Sequence, residues 1–186
     1  MKKLSQVLVI AALALGSSVA AQAREVYSGN LLPNTGSFPR TGSQRIKVVI
    51  NEFTSADETD RLVGLLKSKG HRALETALSK LEVGRIQIGD KLSYPVASAH
   101  VFEDQELQTR HLVLIVSRPI SFGEIVRGSR SKEYPYTLVE LEVDGAGIGS
   151  GEMLAAAKIQ LEKDGKVDIE NLEAQPRRIL KVTRSE

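Results

Sequence analysis

The chain has 186 residues, 26% of them charged, with a formal net charge of +2 and no cysteine. Lys2 and Lys3 stand at the extreme N-terminus, so the remainder is near neutral and lacks the basic excess of a nucleic-acid binder. With no disulfide framework available, stability has to come from an apolar core, which a chain of this length can bury.

Lys2 and Lys3, the apolar residues 7–15 and the triplet Ala21-Gln22-Ala23 follow the order of a secretory signal peptide, with cleavage expected after Ala23. The apolar core is shorter than the roughly 20 residues a membrane-spanning helix needs. No cysteine follows it, which excludes N-terminal lipid modification. The expected product is exported, periplasmic or secreted, and soluble, because no second hydrophobic span occurs. Residues 24–44 carry Gly29, Pro33, Gly36, Pro39 and Gly42 among Ser, Asn and Thr, and read as an extended N-terminal arm anchored by Leu31, Leu32 and Phe38. Residues 45–186 then make one domain of ordinary size.

Residues 45–53 are β-branched and roughly alternating, which predicts a first strand. Ser55 and Glu58 have the spacing of a capping box, and Asp57, Glu58 and Asp60 add negative charge where a helix dipole favours it. Leu62, Leu65 and Leu66 give that helix an apolar face, and Gly70 is its natural stop. A second helix follows, with Leu74, Ala77, Leu78 and Leu81 at helical spacing. From Arg85 the period changes to two. Residues 85–88 make a short strand before the Gly89-Asp90 turn, and residues 93–103 and 109–117 a hairpin.

The stretch the chain is organised around is residues 111–144. It contains the most apolar run after Ala23, residues 112–116, and the clearest alternating strand, 137–144. There Thr137, Val139, Leu141 and Val143 share one face, while Glu140, Glu142 and Asp144 point outward. Residues 152–163, EMLAAAKIQLEK, have the composition of a helix. A three-residue loop ending at Gly165, however, sets Leu161 opposite Val167 and Ile159 opposite Ile169, a register that favours a strand. A last strand, 178–184, follows Pro176. The fold class is α+β: a mostly antiparallel sheet or partly closed barrel of six to eight strands, with the helix pair packed on one face.

Chemistry-bearing motifs are sparse. The glycines from Gly145 to Gly151 fit neither a dinucleotide fingerprint nor a P-loop and read as a hairpin turn. In that register Gly149 faces Val143 and Gly151 faces Leu141, leaving a groove in the apolar face that the helices, or a ligand, would fill. His100 and His111 fall opposite each other if the hairpin turns at its midpoint, about 4.5–5.5 Å apart at Cβ. Two ligands fall short of a zinc site, so no metal is assigned and a metal-dependent hydrolase is a remote alternative; His71 lies on a solvated helix face. No nucleophile elbow, no cysteine nucleophile and no H-E-x-x-H motif occurs.

The connection 118–136 gathers Arg118, Arg127 and Arg130 with Tyr134 and Tyr136, and Arg177 and Arg178 join from the C-terminal turn. Arginine forks suit carboxylate or phosphate, and tyrosine offers a flat contact with a polar tip. Balanced against Glu124 and Glu133, the same residues also suit a plain solvated loop. The resulting expectation is a non-enzymatic, exported module without cofactor that binds a small anionic or amphiphilic molecule through Arg118, Arg127, Arg130, Tyr134, Tyr136, Gly149 and Gly151. The alternative is an envelope interaction or structural protein that pairs with another protein through its N-terminal arm or a sheet edge.

Overall fold

The computed structural model describes residues 24–33, 42–90, 92–120, 133–161, 167–172 and 175–185. Ten antiparallel strands build one sheet. They are β1 (Glu25–Leu31), β2 (Gln44–Ile50), β3 (Gly84–Ile88), β4 (Leu92–Val96), β5 (Ser98–Asp104), β6 (Thr109–Val116), β7 (Tyr136–Asp144), β8 (Ile148–Leu161), β9 (Val167–Asn171) and β10 (Arg177–Arg184). Their spatial order is β4-β3-β2-β1-β10-β8-β7-β6-β5, with β9 paired to the C-terminal half of β8.

The two ends of that path are one bent stave. Only Ala97 separates β4 from β5; Val83 donates to the Val96 carbonyl on one side, and Ala97 donates to the Ile115 carbonyl on the other, both at 2.8 Å. The sheet is therefore nearly closed into a barrel. Register breaks in the β1–β10, β10–β8 and β7–β8 pairs supply the extra twist that such curvature needs. Side chains fill the interior: Tyr27, Ile46, Ile50, Ile86, Leu112, Leu114, Met153 and Ile179 are all essentially inaccessible. This is the expected state of a barrel with about eight staves.

Two helices leave the barrel between β2 and β3: α1 (Ala56–Lys69) and α2 (His71–Leu78). Ser55 caps α1, its Oγ accepting from the Glu58 N–H at 3.2 Å. The Glu58 carboxylate turns to Arg61 instead of returning to Ser55, so half of the capping box is made. Gly70, at φ 75°, ends α1 and its N–H reaches the Leu66 carbonyl. Leu62, Leu66, Leu74 and Leu78 pack on the outside of the barrel against Ile115, Tyr136, Leu138, Ala157, Ile159, Val167 and Ile169. Each buried leucine is worth roughly 2 kcal/mol of apolar transfer. Among the described residues no helix is long and apolar enough to cross a membrane.

The α+β class, the helix pair and, as far as Leu161, the strand expected over 152–163 agree with expectation, including Leu161 opposite Val167 and Ile159 opposite Ile169. Three features differ. Glu25–Leu31, read as part of an unpaired arm, is a strand bonded on both sides, to β2 and to β10. Gly29 is there for close approach and not to break the chain: a Cβ on it would lie 2.9 Å from the Ile179 side chain. The alternation of β7 holds only in its C-terminal half, since Tyr136 and Leu138 on the outer face are covered by the second core. The histidines are also out of register. His111 faces Phe102 and His100 faces Val113, because Asp104 caps the N–H groups of Glu106 and Leu107 and moves the turn two positions along the sum of paired residues.

Candidate functional site

The residues expected to form one rim site do not all meet. Arg118 follows β6 and stacks over the Tyr94 ring at 4.6 Å, with a long hydrogen bond of 3.4 Å to the Ser93 carbonyl. Tyr134 donates its hydroxyl to Glu170. Tyr136 is fully buried beneath the helices; its hydroxyl has no hydrogen-bond partner, and burial pushes its phenol pKa up. Gly149 and Gly151 lie toward the other end of β7, opposite Val143 and Leu141 as the glycine register predicts. The expected groove at these glycines is not there. A Cβ on Gly149 would come within 1.8 Å of the Glu142 carbonyl oxygen, and one on Gly151 within 2.3 Å of the Glu140 carbonyl oxygen. The β7 backbone occupies the place reserved for the helices or a ligand. Arg127 and Arg130 fall outside the described residues. Arg177 is buried and Arg178 exposed, on β10.

The two histidines do not converge on a metal. Among the described residues no group of three or more His, Asp or Glu side chains is placed to hold one. His111 stands 3.9 Å from a Glu142 carboxylate oxygen and 3.4 Å from the Thr109 hydroxyl. His100 is 8% exposed and contacts Ser98, Nε2 to Oγ at 2.7 Å, while the Ser98 hydroxyl also meets Thr54 Oγ1 at 3.0 Å. Desolvation holds the His100 pKa down at about 4. Ser98 is completely buried, so this Ser–His contact is closed to any substrate and belongs to the seam between helices and barrel.

Glu140 and Glu142 point outward as expected, yet Glu140 is half-buried and stands opposite Glu152 on β8. Burial first, then the Glu152 and Glu142 charges, raise its pKa to about 7. A folded-state pKa above the unfolded value contributes stability that is full below about pH 4.5 and is lost as pH rises through 7. Glu140→Gln is therefore expected to stabilise the protein by about 1–2 kcal/mol at pH 8, discounted for solvent screening, and by almost nothing at pH 4. Urea unfolding at both pH values checks this; an equal difference at the two would contradict it.

Sequence reasoning missed a concave feature of the helical face. Between α1 and α2 runs an open groove of about 540 Å³. Leu65, Ala73, Ala77 and Leu81 form its floor, and Arg61, Lys69, Arg72 and Lys80 stand around it. The acids of the same helices, Asp57, Asp60 and Glu75, do not line it, and Glu58 touches it only through its ion pair with Arg61 at 2.6 Å. The signal was present as Arg61, Leu65 and Lys69 at four-residue spacing. In the sequence, Asp57, Glu58 and Asp60 of the same helix offset those charges and hide it.

A second feature lies at one end of the barrel. Glu25, 2% exposed, accepts from the Tyr27 hydroxyl at 2.6 Å and from the guanidinium groups of Arg110 at 3.0 Å and Arg184 at 2.9 Å. Such a network closes that end with polar groups that satisfy one another except at Arg110 Nε, which is buried without a hydrogen bond. Compared with protein-family models, with curated proteins and with solved structures, the chain matches none.

Proposed function

We propose that this protein is a non-catalytic binding module that carries a single-chain anionic amphiphile in the groove between α1 and α2. The observation that carries the reading is four cationic side chains around an apolar floor on a concave surface. An apolar chain on Leu65, Ala73, Ala77 and Leu81 would leave water, while its anionic head meets guanidinium and ammonium donors. The groove volume is in the range of small-molecule sites. The barrel interior is filled with side chains, so the barrel serves as the rigid platform and the helices as the receptor surface. The signal-like N-terminus supports an exported location for this activity. Pairing through an N-terminal arm is less well supported, since Glu25–Leu31 is committed to the barrel.

Titration calorimetry with octyl sulfate, kept far below its micellar concentration, tests the reading. The wild type is expected to bind octyl sulfate and to ignore inorganic sulfate and octyltrimethylammonium. Lys69→Gln combined with Arg72→Gln should weaken binding about tenfold, equivalent to about 1.4 kcal/mol, with an unchanged circular dichroism spectrum. Affinity should also fall with added salt. Equal affinity of the double variant, or no binding by the wild type, contradicts the proposal.

A further inference from the structure

We infer that the helix pair is an acid-released element: protonation of His100 loosens α1 and α2 from the barrel and dissolves the groove they form. This rests on the reading of the groove as the ligand site. The lining around His100 offers no counter-charge for an imidazolium; the Glu75 carboxylate of α2 acts on Tyr136, elsewhere in the seam. A cavity of about 20 Å³ beside His100 is lined by Thr59, Leu62, Val63 and Leu66 from α1 and by Leu74 and Leu78 from α2. The barrel contributes Ser98, Ile115 and Ile159, so none of these groups is charged. The cavity has room for about one water molecule.

The nearest titratable groups on the same face of the sheet do not help. On β6, His111 is the next residue on that face after Val113, the partner of His100, and brings no negative charge. On β7, Glu140 sits in the same cross-strand row, beyond Val113 and roughly 10 Å away at two strand spacings. With its pKa raised to about 7, it is largely neutral at the acidity where His100 would charge. Hydrogen bonding is not the obstacle, because the Ser98 and Thr54 hydroxyls can turn to accept. Desolvation is, and it already holds the imidazole neutral. Opening the seam would hydrate the cation.

Opening also abolishes the groove. α2 has eight residues, and helices that short do not persist in water without tertiary packing. Leu62, Leu66, Leu74 and Leu78 are the contacts that hold both helices in place. Released from them, α1 and α2 lose the mutual orientation that brings Arg61, Lys69, Arg72 and Lys80 around one floor.

Hydrogen exchange of the full protein without ligand, corrected for intrinsic pH dependence, decides the release step by itself. Between pH 7 and pH 4.5, amides of α1 and α2 are expected to lose at least tenfold protection while those of β1 and β6 keep theirs. His100→Phe, or His100→Gln should the first not fold, is expected to abolish the change. Equal helix protection at both pH values, or the same loss in the variant, overturns the inference. Octyl sulfate, whose charge does not titrate in this range, separates the two readings. Absent binding at pH 7 is a failure of the groove. Binding at pH 7 that persists undiminished at pH 4.5 is a failure of the switch; a fall of fivefold or more supports it.

Discussion

Replacing Gly149 with alanine is expected to destabilise the barrel by about 3 kcal/mol or more, near the upper end of overpacking costs. The new methyl carbon would stand 1.8 Å from the Glu142 carbonyl oxygen and 2.9 Å from the Val143 Cα, both backbone atoms of β7. No rotamer change relieves a Cβ, so β7 and β8 would have to separate. They pair through Leu141↔Gly151 and Val143↔Gly149, beside the barrel end closed by Glu25. Alanine at Gly145, where a Cβ meets only the Gln108 carbonyl at 4.0 Å, is the control and should cost far less. Urea midpoints for the two variants measure the contrast. Equal midpoints would mean that β8 does not approach β7 this closely.

Glu25→Gln is expected to cost about 3–5 kcal/mol, the range for removing one partner of a buried ion pair. The carboxylate is nearly inaccessible and serves three donors, Tyr27, Arg110 and Arg184. Arg184 is 40% exposed at its side chain and can turn to water, but Arg110 is only 15% exposed and stays beneath the barrel end. Its remaining acidic neighbour, Glu103, lies 3.5 Å from Nε and is largely solvated. The loss thus comes mainly from a stranded guanidinium. Changing Glu25 and Arg110 together to methionine should recover most of it, because a buried pair replaced by apolar groups is often near neutral. Thermal unfolding of the single and double variants checks this; a double variant as unstable as the single would show that the carboxylate acts otherwise.

How much of this was readable from the chain follows from the range of each interaction. Ser55 and Gly70 act within one helical turn and their roles are visible as spacing, whereas the Glu58 side chain turns to Arg61. The β8–β9 register was visible because apolar alternation on both sides of residues 163–165 permits only one pairing that keeps Ile159 and Leu161 on apolar partners. Gly149 and Gly151 were placed correctly in register, but their purpose was not, since alternation says nothing about how closely β7 approaches. β1 was lost for a related reason. In the sequence Gly29 looks like a breaker, whereas it marks the close passage of Ile179. The histidine pairing missed by two because one Asp104 side chain relocates a turn. Glu25, Arg110 and Arg184 are 85 and 159 positions apart, a distance over which no local pattern operates. The groove needs the relative placement of two helices, which periodicity within each does not contain.

The proposed function places ligand recognition on the helix pair and not on the Arg118 rim or inside the barrel. Amide chemical shifts of isotope-labelled protein, followed during titration with octyl sulfate at pH 7, test it most directly. Saturable shifts centred on Leu65, Lys69, Arg72, Ala73 and Ala77 are the predicted result. Shifts centred instead on Tyr94, Arg118 and Tyr134, or spread evenly over the barrel strands, would contradict the account.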